Sequence, residues 1–242
     1  MGSLGLFIAA PAHATVLGCG SVIVDSNTTI VLSADIDCTT SSSAFGIFVA
    51  ADNVTIDLNG HTITGDGLQP NDQTSTNGVY VTSGAGPTAN NFTVKNGTIT
   101  GFNNGVYLEQ VNGATVTGLS VHDNLGPDGS GTFGDGIQVF EGSGNTITQN
   151  HVTNNGPFGG IRTRSVATST TITANEVRNN TGTGIGIEGS TNTIRFNKAF
   201  ANSTVDLADA TAGCDANVWK YNTFGTESQS CIGTSRAEVA DF

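Results

Sequence analysis

One phrase of eleven residues recurs in the second half of this chain and restricts the folds open to it. Residues 145–155 read NTITQNHVTNN, residues 170–180 read TTITANEVRNN and residues 192–202 read NTIRFNKAFAN. In each copy aliphatic residues alternate with polar ones, which is the period of a β-strand and not of a helix. Repeats at about 20–50 residues are typical of solenoids and arrays. The chain is therefore predicted to be a stack of strand-built coils.

Aligning the copies gives a column of aliphatic residues, one from the first strand of each coil. Its members are 38, 22, 31, 25, 22 and 24 residues apart. The shortest spacing suits three short strands and three turns, which make one coil of a parallel β-helix, and longer spacings indicate inserted loops. Stacked strands lie about 4.8 Å apart, so the inward aliphatics should form one continuous core. The column comprises Ile56, Val94, Val116, Ile147, Ile172, Ile194 and Val218.

Two further strands complete each coil, and polar or small residues mark the corners between them. The second strand supplies Ile63, Ile99, Val121, Val152 and Val177. One asparagine register comprises Asn59, Asn150, Asn175 and Asn197, and another comprises Asn124, Asn155, Asn180 and Asn202. Stacked asparagines can hydrogen-bond along the axis, and Asn tolerates the left-handed conformation of such corners. Each third strand follows a glycine, where we expect a positive-φ corner. These glycines are Gly46, Gly78, Gly105, Gly136, Gly160 and Gly184.

The N-terminal segment and the overall charge bear on where the protein works. Residues 1–14 end in Ala12-His13-Ala14 after an apolar stretch, which predicts the remainder of a secretory signal, with a short buried strand as the alternative. Residues 15–242 are predicted to form one domain, and no stretch approaches the ~18 apolar residues of a spanning helix. The net charge of −12 argues against a nucleic-acid partner, which requires clustered Lys and Arg. We therefore expect a secreted, extracellular or periplasmic protein.

Four cysteines lie in two pairs near the ends of the chain. In an oxidising compartment the economical pairing joins Cys19 to Cys38 and Cys214 to Cys231, each closing a short terminal loop. A four-thiolate zinc site is the alternative, but such sites normally contain closely spaced cysteine pairs, which are missing here. We expect two disulfides that fasten the first and last coils.

With these features the chain resembles the right-handed parallel β-helix superfamily, the pectin-lyase-like group with its parallel β-helix and NosD-like repeats. The resemblance covers about residues 20–230. It implies an all-β, single-stranded right-handed parallel β-helix of about seven to eight coils. The superfamily contains mostly extracellular polysaccharide lyases, glycoside hydrolases and epimerases, together with copper-site maturation proteins, adhesins and tailspikes. Fold alone does not choose among these activities.

The alternation of the third strands predicts two rows of outward side chains. Aromatic rings can stack on sugars, whereas Arg and Glu form directed hydrogen bonds, so we interpret this face as a binding face. The alternative is that Phe and Tyr are present because they favour strands. The first row comprises Phe48, Tyr80, Tyr107, Gln138, Arg162 and Gly186. The second row comprises Ala50, Thr82, Glu109, Phe140, Arg164 and Glu188.

Long connections flank this predicted face at 65–77, 83–91 and 123–134, and long loops on a rigid scaffold commonly carry function. They are predicted to wall a groove, with plain surface loops as the alternative. Within the groove Glu109 and Asp135 lie on adjacent coils, so we expect a glycosidase-like carboxyl pair about 5–10 Å apart. Residues 133–137 faintly resemble a polygalacturonase block that maps a catalytic carboxyl onto Asp135, although the other blocks of that family are missing.

A lyase would use the same face differently, because it requires a base and a cation that neutralises a sugar carboxylate. His122 is the alternative base, and Arg162 and Arg164 are the candidate clamps. Asp123, Asp128 and Asp135 could bind Ca²⁺, with a copper or zinc site at His122 and His151 as the alternative.

Two functional hypotheses remain open at this point. The leading one is a polysaccharide lyase or glycoside hydrolase, and the other is a non-catalytic carbohydrate-binding or structural β-helix. Convergence of carboxyls and arginines in a groove favours the enzyme. In both cases the expected partner is a polysaccharide or oligosaccharide. The residues predicted to contact it are Tyr80, Tyr107, Gln138, Phe140 and Glu188.

Overall fold

The computed structural model describes residues 14–67, 76–83, 88–126, 134–214 and 216–233. Over these ranges the chain is a right-handed parallel β-solenoid of about seven turns, with 23 strands, β1–β23, numbered along the chain. Every pair of neighbouring strands is parallel, and each strand pairs with strands of the coils before and after it. This confirms the predicted fold class.

The strands occupy three positions in each coil. First-strand positions are β1 (Ala14–Thr15), β3 (Thr29–Leu32), β6 (Thr55–Asp57), β9 (Thr93–Thr100), β11 (Thr115–His122), β13 (Thr146–Thr148), β16 (Thr171–Thr173), β19 (Thr193–Arg195) and β22 (Val218–Lys220). Second-strand positions are β4 (Ile36–Asp37), β7 (Thr62–Thr64), β14 (His151–Thr153), β17 (Glu176–Arg178), β20 (Lys198–Phe200) and β23 (Thr223–Phe224). Both positions belong to one sheet of 15 strands, because β9 and β11 run through the corner between them.

The third-strand sheet contains eight strands in the order β2-β5-β8-β10-β12-β15-β18-β21. These are β2 (Ser21–Ile23), β5 (Phe45–Val49), β8 (Asn77–Thr82), β10 (Asn104–Glu109), β12 (Asp135–Ser143), β15 (Gly159–Thr168), β18 (Thr183–Ile187) and β21 (Val205–Asp209). Two short 3₁₀ helices, Ala212–Cys214 and Ser230–Ile232, are the helical elements of the described residues. In these ranges no helix has the length and apolarity to cross a membrane.

The core is a stack of aliphatic side chains, as the repeat predicts. The pairing register confirms the first-strand column from Ile56 to Ile194. The last member was predicted one residue too early: Trp219 pairs with Ile194 and is buried, whereas Val218 is 39% exposed. Trp219 therefore takes the inward position that was predicted for Val218. Its indole N–H donates to Asp209 at 2.8 Å.

Buried asparagines form ladders along the solenoid axis. In the first ladder the backbone and side-chain N–H groups of Asn150 both donate to Asn175 Oδ1 at 3.0 Å, and Asn175 repeats the pattern with Asn197. The second ladder, which begins at Asn124, has the predicted register. Asn59 was wrongly placed in the first ladder. The corner of its coil is longer than the corners of later coils, so Asn59 is exposed and Leu58 is buried in its place.

The left-handed residues of the corners precede the ladder asparagines. Gln149 and Ala174, for example, have φ of 56° and 55°, next to Asn150 and Asn175. The ladder asparagines therefore act through hydrogen bonds, whereas the tolerance of Asn for positive φ is used at Asn59, Asn154 and Asn179.

The glycines that open the third strands are also explained differently from the prediction. None of the six has positive φ; instead there is no room for a Cβ atom. At Gly160 a Cβ atom would lie 2.5 Å from Val177 Cγ1 and 2.8 Å from Asn180 Nδ2. The glycine column is thus required by the close approach of the third strand to the second strand and to the asparagine ladder.

Both predicted disulfides are present. Cys19 is joined to Cys38 in the first coil, and Cys214 to Cys231 at the C-terminal end, where they link the two 3₁₀ helices. The four cysteines therefore form no zinc site. The predicted signal remnant, residues 1–14, lies outside the described residues except for Ala14, which begins β1.

Candidate functional site

The outward side of the third-strand sheet, called here the third-strand face, carries the two predicted rows. Strand pairing places the first row in register as Phe48, Tyr80, Tyr107, Gln138, Arg162, Gly186 and Ala208. In the second row Thr82 pairs with Glu109, and a register irregularity after Val139 brings Phe140 beside β15. The pairing register of the first row is therefore the one that alternation predicted.

Aromatic rings follow one another along the face. The ring centroids of Phe48 and Tyr80 are 5.2 Å apart, those of Tyr80 and Tyr107 5.4 Å, and those of Tyr107 and Phe140 6.1 Å. The neighbouring rings cover Tyr107, which is buried, whereas Phe48, Tyr80 and Phe140 remain partly exposed. This aromatic row is long and apolar and ends at the guanidinium of Arg164, which lies 5.6 Å from the Phe140 centroid.

Glu109 lies at the edge of the aromatic row. The hydroxyl of Tyr80 donates a short hydrogen bond to Glu109 Oε2. Burial, together with this hydrogen bond and the negative charge of Glu109, raises the pKa of Tyr80 to about 12. Burial likewise raises the pKa of Tyr107. Both tyrosines therefore remain neutral hydrogen-bonding groups at physiological pH.

Asp135 is the most unusual titratable group of the face. Its backbone N–H and that of Gly134 donate to the buried side chain of Asn104 at 3.0 and 2.9 Å, which fixes the start of β12. The Asp135 carboxyl is 0% exposed, and its Oδ2 accepts a 2.9 Å hydrogen bond from Gln138 Nε2. Burial raises the pKa of Asp135 to about 7, although the charge of Arg162 acts in the opposite direction.

Arg162 connects Asp135 to a second carboxyl. Its Nη2 lies 2.9 Å from Asp135 Oδ2, and its Nη1 lies 3.9 Å from Glu188 Oε1. Arg164 Nε is 3.4 Å from the other oxygen of Glu188. The guanidinium of Arg162 also stacks over Phe158, 4.7 Å from the ring centroid. Two carboxyls and two arginines thus converge beyond the last ring of the row.

Two of the carboxyls predicted to act together are far apart. Asp135 lies level with Asn104, and Glu109 is five residues further along that strand, which corresponds to about 16 Å of backbone. The expected 5–10 Å separation of Glu109 and Asp135 is therefore wrong, because residues on adjacent coils are close only at the same strand level.

Asp135 and Glu188 form a closer pair instead. Because one planar guanidinium bridges them, Asp135 Oδ2 and Glu188 Oε1 lie within about 9 Å of each other. Asp135 is inaccessible, whereas the Glu188 side chain is 33% exposed. The pair thus combines one protonatable buried acid with one carboxyl that solvent can reach.

The buried part of this cluster is not fully hydrogen-bonded. Asp135 Oδ1 and Gln138 Oε1 are both buried acceptors without a hydrogen-bond partner. A buried polar atom without a partner costs about 1–3 kcal/mol, so its presence calls for an explanation outside stability. The Gln138 side chain turns to Asp135 and is buried, so its contact with a sugar stays a prediction.

A depression of about 270 Å³ adjoins the charged cluster. It lies above Gly186 and Ala208, where the first row ends in small residues, and Phe158, Arg162 and Glu188 form its walls. Ser228, from the segment after the last coil, borders the opposite side. Sequence reasoning missed Phe158 and Ser228, because both lie outside the repeating positions.

The other predicted site residues lie elsewhere. His122 ends β11 in the other sheet, and its Nδ1 is 2.8 Å from Asp123 Oδ2 and 3.3 Å from Thr100 Oγ1. Asp128 and most of the three long connections lie outside the described residues, so the calcium site and the walls of the groove stay predictions. Within the described part of the chain, no group of three or more His, Cys, Asp or Glu side chains is arranged to hold a metal ion.

Comparison with protein families gives one match. Residues 26–199 match the family described as "Right handed beta helix region". A comparison with curated protein sequences gives no match.

Several solved structures share the solenoid. The Dettilon tailspike protein is 15% identical with a TM-score of 0.56, over 86% of this chain and 47% of the tailspike. The enzymatically active domain of bacteriophage CBA120 tailspike protein 2 is 16% identical with a TM-score of 0.50, over 85% of this chain and 39% of its own. Pectate lyase Pel9A is 13% identical with a TM-score of 0.50, over 96% and 70%. The chain spans less than half of either tailspike, and identities this low establish a common fold only.

Proposed function

Because the chain belongs to the right-handed β-helix family, we propose that it is a carbohydrate-active protein that binds a polysaccharide along the third-strand face and hydrolyses it beside Glu188. One observation carries this proposal: Arg162 bridges buried Asp135 and partly exposed Glu188 at the end of the aromatic row. The enzymatically active domain of one tailspike protein and a pectate lyase among the solved structures of this fold are consistent with the carbohydrate-active part of this proposal. The two disulfides fit secretion into an oxidising compartment.

The aromatic row suits an extended sugar chain. Sugar rings have apolar faces that stack on aromatic rings. The partly exposed rings of Phe48 and Tyr80 lie on the neighbouring strands β5 and β8, and that of Phe140 lies two strands further on, on β12. Glu109, held by Tyr80, and Arg164 are placed to hydrogen-bond sugar hydroxyls at the edge of the row. The row would thus position a chain so that one linkage lies over the charged cluster.

Hydrolysis of a glycosidic bond requires an acid that keeps its proton near neutral pH and a carboxylate that activates water. Asp135, with its pKa raised to about 7, suits the acid, and the accessible Glu188 suits the base. In the proposed step Glu188 takes a proton from water as the water oxygen bonds to the anomeric carbon, and Asp135 protonates the leaving oxygen as the glycosidic C–O bond breaks. Because Asp135 is closed to solvent, Arg162 must move aside for this step.

The burial of Asp135 also favours a second candidate function, non-catalytic binding of the same polysaccharide. In that case Asp135 would hold Arg162 in place, and Arg162, Arg164 and Glu188 would be the members of the charged cluster that contact sugar. Elimination with His122 as base stays a prediction. His122 lies at the end of β11 in the other sheet, away from the third-strand face.

The test incubates the full chain with a panel of polysaccharides, with and without Ca²⁺, and measures new reducing ends and the ultraviolet absorbance of unsaturated products. We expect new reducing ends without unsaturation, and a loss of kcat of about 10²–10⁴ in Glu188→Gln, because a positioned base contributes that much. Glu176→Gln is the matched control, since Glu176 is an accessible glutamate on β17 of the other sheet.

Three outcomes would count against hydrolysis. Unsaturated product would indicate a lyase. Full activity in Glu188→Gln would show that Glu188 is not the base of the reaction. Binding without any product, weakened by Tyr80→Ala, would establish the non-catalytic function instead.

A further inference from the structure

Gly186 differs from the other glycines of the third strands. It occupies the first outward row, in register with Arg162 on one side and Ala208 on the other. A Cβ atom at Gly186 would meet nothing closer than Thr183 Cγ2 at 3.5 Å and Arg162 Cγ at 3.9 Å, which are ordinary contacts. At Gly184, two residues earlier, it would lie 2.4 Å from the carbonyl oxygen of Asp206.

The fold therefore does not require glycine at position 186. Its φ is not positive, and it lies inside β18, where glycine weakens a strand relative to residues with side chains. A glycine that the backbone does not need is instead expected where another molecule approaches the strand closely. Gly186 is the position at which the first row drops from the long side chain of Arg162 to the floor of the depression.

The size of the depression limits what it can hold. Its volume is about 270 Å³, below the range of about 300–1,000 Å³ typical of pockets for drug-sized ligands. A ligand of about one ring fits this space. Phe158 offers an apolar wall, and Arg162 and Glu188 offer hydrogen-bond donors and acceptors on the same side.

The lining of the depression contains one arginine, Arg162, and two carboxyls, Glu188 and Asp209, so it is acidic on balance. Arg162 contacts Asp135 at 2.9 Å and Glu188 at 3.9 Å, and Arg164 contacts the second oxygen of Glu188 at 3.4 Å. An anionic ligand would compete with carboxylates that already hold both arginines. Hydroxyl groups, in contrast, can donate to Glu188 and accept from Arg162 without disturbing the ion pairs.

We propose that the depression above Gly186 is a subsite for one uncharged sugar ring, and that the missing side chain of Gly186 is what leaves it open. This inference rests on the proposed function, because it assigns one sugar unit of the bound chain to a specific place. It makes Gly186 a specificity-determining residue: it touches no reacting group in the proposed step, yet it determines whether a ring can enter.

The experiment compares the wild-type chain with Gly186→Ala and Gly186→Val. Dissociation constants are measured by NMR titration with neutral oligosaccharides of glucose, galactose and N-acetylglucosamine, and with oligogalacturonate and oligoglucuronate as acidic counterparts. Melting temperatures are measured for every protein. Thr171→Val, an outward β-branched replacement on β16 in the other sheet, is the matched control.

We expect at least one neutral oligosaccharide to bind, with affinity at least tenfold weaker in Gly186→Val and intermediate in Gly186→Ala. Both variants should melt at or above the wild-type temperature, because valine and alanine suit a strand better than glycine. Thr171→Val should bind as the wild type does. Should Gly186→Val fail to fold, Gly186→Ala still decides, because its Cβ atom has room.

Other results would overturn the inference. If sugars bind and both Gly186 variants retain wild-type affinity, the subsite is wrong while the proposed binding face stands. If acidic oligosaccharides bind at least as tightly as neutral ones, the assigned ligand class is wrong. If no sugar binds to the wild type, the subsite and the proposed function both fail.

Discussion

Asp135 shows how a single residue can reveal a site. The strand positions level with it are Asn77, Asn104, Gly159 and Thr183, so the fold accepts small or neutral residues there. A carboxyl at this place loses its hydration, and only one of its two oxygens has partners. Groups whose pKa is shifted by burial together with a specific charged partner are concentrated at functional sites. The loss of stability that a buried, incompletely hydrogen-bonded carboxyl causes is thus a reason to expect a functional site beside Asp135.

The raised pKa of Asp135 predicts a pH effect on stability. Its pKa in the folded protein, about 7, exceeds the ordinary value of 3.8, so between these values the folded state binds more protons than the unfolded state. The contribution of Asp135 to stability is therefore fully present below about pH 4 and is lost as the pH rises through about 7. We expect the stability of Asp135→Asn relative to the wild type to rise over this range, by at most about 1.4 kcal/mol per pH unit.

Urea denaturation of both proteins at several pH values between about 5 and 8 measures this difference. Asp57→Asn is the control, because partial burial of Asp57 is outweighed by hydrogen bonds from Asn59 and Asn96, which lower its pKa. Asp57 is thus ionised in both states across the range, and the effect of its replacement should not vary with pH. A constant difference between Asp135→Asn and the wild type would contradict the assigned pKa.

Alternation alone predicted that Arg162, Arg164 and Glu188 lie on one face, and this is correct. It could not predict which carboxyls meet, because that depends on strand level and on the reach of Arg162. The contribution of Phe158 was also beyond the sequence, since that residue lies in a corner without a repeating pattern. Side-chain partners across coils are a property of packing and not of the repeat.

The asparagine ladders show what an element of this solenoid depends on. Each buried asparagine satisfies backbone groups of two coils at once: Asn175 Nδ2 donates to the carbonyls of Ile147 and Thr173, and its Oδ1 accepts from Asn150. Corners of a solenoid leave such backbone groups without strand partners, and burial makes that expensive. The ladders therefore replace the water that an exposed turn would bind.

Removing one ladder member should be costly. In Asn175→Ala the Ile147 carbonyl and the Asn150 N–H lose their partners, each at about 1–3 kcal/mol, so we expect a loss of about 3–5 kcal/mol in the free energy of unfolding. Chemical denaturation measures it. Thr173→Ala, a nearby replacement on the outward side of β16, should change stability by under about 1 kcal/mol. Equal effects of the two replacements would show that the ladder is dispensable.

The glycine column shows that the sequence predicts where strands lie but not how closely they pack. Its spacing correctly located six strands of the third-strand sheet, β5, β8, β10, β12, β15 and β18, but a positive φ was the wrong reason for it. Local sequence contains no information on the distance between Gly160 and the Asn180 amide, which belongs to the next corner of the stack. Only the assembled coil distinguishes a glycine required by crowding, such as Gly160, from one that leaves space, such as Gly186.

Across the whole molecule, stability is expected to be a sum over coils and their interfaces, as in other solenoids. Terminal coils lack one neighbour, so they open most readily unless something fastens them. Here the C-terminal end is closed by Trp219 at the base of the core, by Asp206, which continues the second asparagine ladder, and by the Cys214–Cys231 disulfide. The end of the solenoid beside the depression is thus held by several independent contacts.

Removal of the C-terminal disulfide should loosen that end selectively. Its two cysteines are 17 residues apart, and a loop of this length corresponds to about 3 kcal/mol of lost chain entropy in the unfolded state. For the Cys214→Ser/Cys231→Ser variant we expect faster amide hydrogen exchange in β19–β23, with β9–β13 unchanged. The matched Cys19→Ser/Cys38→Ser variant should show faster exchange in β2–β5 instead.

Because Ser228 and β21 border the depression, loosening of the C-terminal coils should also weaken sugar binding there, whereas loosening of the N-terminal coils should not. Uniformly faster exchange in both variants would instead mean that the solenoid opens as one unit and that neither disulfide acts locally.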